Sequence, residues 1–98
     1  MNDYERHIDF IAEALDTLHV PYTKYHCWEG AQLRFPWCKG DVACHASTYG
    51  SDSGFVETYQ FPWDEDDVSM LSPQEAIDKI ANYYKSTQIL PKGLTSVY

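Results

Sequence analysis

Apolar residues recur at intervals of three and four along residues 1–20, which is the spacing of one face of an α-helix. The apolar positions are Tyr4, Ile8, Ile11, Leu15 and Leu18, and acidic residues fill the remaining arc. Asn2 or Asp3 is suited to cap the helix, because a short polar side chain accepts a hydrogen bond from the first free amides. Pro21 ends it, since a proline ring excludes the preceding residue from helical geometry. The pattern predicts a surface helix with one buried stripe.

From Tyr22 to about Phe61 the chain is rich in aromatic and β-branched residues and is interrupted by glycine. This composition favours short strands over helices. The predicted strands are Tyr22–Trp28, Ala31–Phe35, Asp41–Thr48 and Phe55–Phe61. A tight turn at Glu29 and Gly30 joins the first two strands, and segment 49–54 is a loop by its glycine, serine and aspartate content. Small apolar residues, Val42, Cys44 and Ala46, share one side of the third strand.

A second helix begins with the strongest local signal in the chain. Ser72 at the N-cap, Pro73 at the first helical position and Glu75 at the third together suit a helix start. The buried stripe that follows consists of Ala76, Ile77, Ile80, Ala81 and Tyr84, and the helix is predicted to end near Lys85. Segment 86–98 lacks periodicity, so it is predicted to be a tail outside the domain, partly disordered or left over from expression.

Together these elements predict one α+β domain spanning residues 1–85. At 98 residues and 44% hydrophobic content, the chain has enough apolar material for one core and not for two. The expected order is a helix, a three- or four-stranded antiparallel meander and a second helix. Both helices are expected on one face of the sheet, as a two-layer sandwich.

The formal net charge is −8, and the acidic residues are concentrated in two segments. Residues 1–20 hold five acidic residues against Arg6, and residues 61–78 hold six with no Lys or Arg. Repulsion would replace the counterion release that basic proteins use on phosphate backbones, so direct nucleic-acid binding is not expected. The apolar runs are too short to span a membrane. A basic protein is the partner that this charge permits.

Five metal-ligating side chains, His26, Cys27, Cys38, Cys44 and His45, lie within one stretch of the chain. Their spacing differs from the Cys-x₂₋₄-Cys knuckles of zinc sites, and neighbouring residues on a strand point to opposite faces. An odd number of cysteines without an apolar signal segment favours a reduced intracellular protein. No cofactor is expected, and a small metal- or thiol-dependent protein built on these residues is kept as an alternative.

Two further motifs do not meet their chemical requirements. The segment Gly50–Gly54 resembles a Gly-x-Ser-x-Gly elbow, but its central residue is Asp52 and a strand follows it rather than a helix. The acids from Asp64 onwards suggest a calcium loop, yet its sixth position is Ser69, where a glycine is needed. Neither motif predicts a catalytic or calcium site.

The acidic run before the second helix is the predicted interaction site. A tryptophan directly before four carboxylates suits an interface that combines an aromatic anchor with electrostatic steering. The residues proposed to contact a partner are Trp63, Asp64, Glu65, Asp66 and Asp67, with Asp9, Glu13 and Asp16 as a second patch. Such carboxylates would imitate the spacing of phosphates in a basic groove. The alternative interpretation is a solvated loop whose acids favour the helix N-terminus.

The predicted element order matches double-stranded-RNA-binding domains, but their second helix begins with basic residues and here residues 66–73 are acidic. In size, element order and acidity, residues 3–85 resemble some phage-encoded anti-CRISPR proteins. Segments Gly40–Gly50 and Leu71–Glu75 also resemble small proteins of phages and gut bacteria. The resemblance implies a non-enzymatic inhibitor in the cytoplasm of a bacterial host, which occupies the basic groove of a nucleic-acid-binding partner such as a CRISPR effector. A structural or oligomerising domain is a further alternative.

Overall fold

The computed structural model describes residues 4–48, 50–65 and 68–96, with side chains described as far as Gln88. Its elements are helix α1 (Tyr4–Thr17), strands β1 (Thr23–Cys27), β2 (Gly30–Arg34), β3 (Asp41–Cys44), β4 (Val56–Tyr59) and β5 (Val68–Leu71), and helix α2 (Pro73–Ser96). The α+β class and the order of helix, strands and helix are confirmed. The proposed caps Asn2 and Asp3 lie outside the described residues.

The strands form a five-stranded antiparallel sheet in the order β1-β2-β3-β4-β5. The prediction of three or four strands missed β5, in which Val68 pairs with Tyr59 and Leu71 pairs with Val56. This strand is four residues long and lies between the acidic run and the Ser72 cap. It is too short to show a clear alternation in the sequence.

The hydrophobic core lies between one face of the sheet and the two helices, which also contact each other. Ile8, Ile11 and Leu15 of α1 are fully buried, as predicted from their spacing. From the sheet, the core takes the side chains of Ala31, Leu33, Val42, Cys44, Val56 and Leu71. From α2 it takes Ala76, Ile77 and Ile80. The predicted two-layer arrangement follows from these contacts.

Helix α1 ends earlier than the sequence suggests, and Pro21 is not what ends it. His19 adopts a left-handed φ of 59°, the Val20 amide donates to the Leu15 carbonyl, and the His19 amide donates to the Asp16 carbonyl. These are the two hydrogen bonds of a Schellman C-terminal motif. Leu18 therefore lies beyond the helix and is 45% exposed, so its predicted place in the buried stripe is wrong.

The turn between β1 and β2 is shifted by one residue from the prediction. Trp28 and Glu29 both have positive φ, and Cys27 pairs with Gly30, so these two residues form the turn and Gly30 begins β2. A glycine is required at position 30 for another reason. A Cβ there would lie 2.0 Å from the carbonyl oxygen of Cys44 on the neighbouring strand.

The start of α2 is as predicted, since the Glu75 amide donates to the Ser72 hydroxyl at 3.1 Å. Its end is not. The helix continues past Lys85 to Ser96. The hydroxyls of Ser86 and Thr87 donate hydrogen bonds to the carbonyls of Tyr83 and Tyr84, one turn back.

Candidate functional site

The predicted acidic site begins with a tight turn over residues 61–64. The Asp64 amide donates to the Phe61 carbonyl at 2.9 Å, and the Phe61 amide donates back to the Asp64 carboxylate at 3.3 Å. Pro62 occupies the second position of the turn, where a proline is favoured. The other carboxylate oxygen of Asp64 accepts a 3.0 Å hydrogen bond from the hydroxyl of Thr58.

Asp64 therefore acts inside the fold. Its residue exposure is 9%, and Thr58, from which it accepts a hydrogen bond, is fully buried. The sequence prediction placed this carboxylate on a surface facing a partner. The structure instead uses it to satisfy a buried hydroxyl and a backbone amide, because polar groups removed from water must be hydrogen-bonded.

Trp63 also has contacts within the fold. Its ring stacks on Phe61 with centroids 4.5 Å apart and planes 6° apart, and its indole N–H donates to Thr58 at 3.0 Å. The ammonium of Lys79 lies 5.4 Å from the centre of the same ring. Trp63 is thus a partly buried packing residue, unlike the exposed anchor that the sequence suggested.

Glu65 is the first exposed residue of the acidic run. Asp66 and Asp67 lie outside the described residues, so their proposed contact with a partner stays a prediction. Among the residues of the acidic run that the structure describes, Glu65 alone is exposed enough to contact a basic protein.

The acids of α1 differ in how far they are already paired. The Lys24 ammonium donates to Asp9 at 2.7 Å and to Glu5, and these two hydrogen bonds raise the pKa of the lysine. Asp16 accepts a 3.0 Å hydrogen bond from the Tyr22 hydroxyl. The carboxylate of Glu13 is exposed and has no partner among the described residues.

Phe10 is 51% exposed and lies on the exposed side of α1, at the edge of these acids. It lies one helical turn from both Arg6 and Glu13, opposite the buried Ile8–Ile11–Leu15 side, and Asp9 lies about 100° further around the helix. Phe10 was not among the predicted contacts, although a phenylalanine on the polar arc of an amphipathic helix is a visible signal in the sequence. An aromatic side chain among surface charges is the anatomy of many protein interfaces. We call Phe10, Glu13, Asp9 and Asp16 the α1 acidic face.

The opposite side of the molecule is the sheet face that the helices do not cover. Its middle row places Tyr25, Gln32, Ala43, Glu57 and Met70 side by side on the five strands. Tyr25 is 46% exposed and Met70 is 53% exposed, whereas Ala43 is buried. The guanidinium of Arg34 lies 5.4 Å from the centre of the Tyr25 ring. Polar and aromatic side chains are mixed here, unlike the acidic surface of α1.

One end of this sheet face contains a cavity of about 370 Å³. Its lining residues are Arg34, Phe35, Cys38, Lys39, Gly40, Asp41, Tyr59 and Gln60. Burial raises the pKa of the Asp41 carboxyl, and a hydrogen bond with Gln32 and the charge of Arg34 partly oppose that rise. The cavity was not predicted, because it depends on which residues the strand register brings together.

The proposed Cys and His ligands have separate surroundings. Cys44 is buried and donates its S–H to the Phe55 carbonyl, and burial raises its pKa to about 11. Burial also raises the pKa of Cys27 and Cys38, so all three thiols are less nucleophilic than a free thiol. His45 contacts Trp28 edge to face. In the part of the chain that the structure describes, no three His, Cys, Asp or Glu side chains are grouped to hold a metal ion.

Among the described helices, none combines the length and the apolar character needed to cross a lipid bilayer. Comparisons with protein-family models, with curated proteins and with solved structures found no match for this chain.

Proposed function

We propose that this protein is a non-enzymatic acidic binding protein that inhibits a nucleic-acid-binding partner, for example a CRISPR effector, by occupying its basic groove. The observation that carries the proposal is the α1 acidic face, in which half-exposed Phe10 lies one helical turn from exposed Glu13, beside the other acids of the helix. A net charge of −8 would steer the protein towards a basic surface and away from nucleic acid itself.

The contact is proposed to combine burial of the Phe10 ring with ion pairs from Glu13 and Asp16. Glu13 is exposed and has no partner within the described residues, so its carboxylate is available to a lysine or arginine of the partner. Asp9 shares Lys24 with Glu5, which reduces its contribution. Glu65, Asp66 and Asp67 remain a predicted second contact.

The first experiment tests whether a partner of this class exists. The protein is immobilised and exposed to nuclease-treated bacterial lysate, and retained proteins are identified and purified. Mobility-shift assays then measure their binding to nucleic acid as this protein is added. We expect loss of nucleic-acid binding near equimolar addition, weakened by salt because the attraction is between charges. If no retained protein loses nucleic-acid binding, the proposal is wrong.

The second experiment tests the surface. A variant combining Phe10→Ala, Glu13→Lys and Asp16→Lys is expected to lose inhibition while its circular dichroism is unchanged. The matched control, Glu75→Lys with Asp78→Lys, makes the same change in net charge at exposed positions of α2. Equal loss in both variants would mean that net charge, and not the α1 acidic face, is recognised.

A further inference from the structure

The cavity at the end of the uncovered sheet face is formed by three adjacent strands. Arg34, the last residue of β2, lies opposite Asp41, the first of β3, and Asp41 lies opposite Tyr59, the last of β4. In an antiparallel sheet, residues opposite one another project to the same face. The three side chains therefore share one row, and the connection over residues 35–40 forms the adjoining wall.

Close packing holds this wall against the core. A Cβ at Gly40 would lie 2.6 Å from the ring of Phe61, so the backbone of the wall rests directly on that buried ring. Phe61 in turn stacks on Trp63, within the hydrogen-bonded turn that Asp64 closes. The cavity is thus built on rigid elements, which is what a selective binding site requires.

Both signs of charge face the cavity. Arg34 and Lys39 line it, and no carboxylate oxygen of the described residues lies within 4.0 Å of either cation. This contrasts with Lys24, which is paired with two carboxylates. Asp41 lines the same space and is partly buried; burial raises the pKa of its carboxyl, and a hydrogen bond with Gln32 and the charge of Arg34 partly oppose that rise.

We propose that this cavity binds a small zwitterion of the α-amino-acid class, with the ligand carboxylate at Arg34 and Lys39 and its ammonium group at Asp41. Phe35 and Tyr59 line the cavity, and the exposed ring of Tyr59 would contact the ligand's side chain. A volume of about 370 Å³ is within the usual range for small-molecule sites. The site lies on the sheet face and does not depend on the proposed function of α1.

The charges disfavour simpler ligands. Glu57 and Asp64 act on Asp41 as neighbouring negative charges, so a ligand carrying only a carboxylate would meet repulsion. A ligand carrying only an amine would meet Arg34 and Lys39. A molecule with both groups on one carbon places each charge near its opposite, and charge-assisted hydrogen bonds are stronger than neutral ones.

The test is a titration of the full chain with each common L-amino acid up to about 10 mM, a range that detects weak small-molecule binding. Amide proton–nitrogen correlation spectra are the readout. We expect at least one amino acid to shift the amides of residues 34–41 and 59–60 saturably. Its N-acetyl and carboxamide derivatives, which each lack one charge, should bind about tenfold more weakly.

Substitutions then assign the two ends of the ligand. Lys39→Gln and Asp41→Asn should each weaken binding about tenfold, through loss of one charged contact. The matched controls Lys85→Gln and Asp78→Asn alter exposed charges on α2 and should bind normally. Lys39 is exposed, so the Lys39→Gln variant is expected to fold. Its binding decides the test if the Asp41→Asn variant does not fold.

Three results would overturn the proposal. One is the absence of any saturable shift at the cavity with the amino acids. Another is equal binding of the N-acetyl derivative, which would mean that the cavity takes a simple anion. The last is unchanged binding by Lys39→Gln, because the ligand would then lie elsewhere.

Discussion

The two acidic segments of this protein use their carboxylates in opposite ways. In the segment before α2, Asp64 is buried and accepts hydrogen bonds from Thr58 and Phe61. On α1, Glu13 is exposed and has no partner in the described part of the chain. The segments have similar composition, so local acidity does not distinguish a carboxylate that holds the fold from one available to a partner. That distinction depends on which donors the fold brings near each oxygen.

Asp64→Ala tests the structural side of this contrast and should have the largest effect. It leaves the Thr58 hydroxyl and the Phe61 amide without their acceptor, and a buried donor without a partner costs about 1–3 kcal/mol. We expect a loss of about 2 kcal/mol in the free energy of unfolding, measured by urea denaturation. The neighbouring substitution Glu65→Ala, at an exposed position, should change it by less than about 0.5 kcal/mol. Equal effects of the two substitutions would contradict the contrast.

Lys24→Gln should have the next largest effect, because it removes the cation shared by Glu5 and Asp9. The acids are partly exposed, so we expect a loss of about 1 kcal/mol or less, decreasing as salt is added. Hydrogen bonds with Asp9 and Glu5 raise the pKa of Lys24 in the folded state. The stabilisation is therefore complete below the lysine's ordinary pKa and lost as pH rises through the raised value. A difference from wild type that persists in high salt and at high pH would contradict this interpretation.

Asp41 should show a smaller effect of opposite sign. Burial raises its pKa, so the folded chain holds this proton more tightly than the unfolded chain. The ionised carboxylate thus opposes folding at neutral pH, and its protonation stabilises the fold as pH falls through the raised pKa. Asp41→Asn should be at least as stable as wild type near pH 7, with the difference shrinking as the pH falls to about 4. Urea denaturation at both pH values measures this, and a variant less stable at neutral pH would contradict it.

The sequence predicted elements whose signals are local. The helix cap at Ser72 and the burial of Ile8, Ile11 and Leu15 were both predicted from residues within one or two helical turns. Both predictions are confirmed. The turn at Trp28 was misplaced because its two left-handed residues are not the glycine or asparagine that usually mark such turns.

The candidate sites were harder to predict because they depend on the tertiary structure. Nothing next to Asp64 in the chain indicates that Thr58, on β4, donates to it. The row of Arg34, Asp41 and Tyr59 exists only through the register of three strands. Phe10 was within reach of sequence reasoning, since its position on the polar arc of α1 can be read from the helical spacing alone.

Glu13→Gln should have the smallest effect on stability and tests the exposed side of the contrast. The side chain has no partner among the described residues, so the free energy of unfolding should change by less than about 0.5 kcal/mol. If the α1 acidic face contacts a basic partner, the same substitution should slow association, because steering by exposed charges acts mainly on the association rate. Surface plasmon resonance at two salt concentrations separates the rates, and the difference from wild type should narrow at the higher concentration. A carboxylate that changes association without changing stability belongs to a binding surface. One that does the reverse, as expected for Asp64, belongs to the fold.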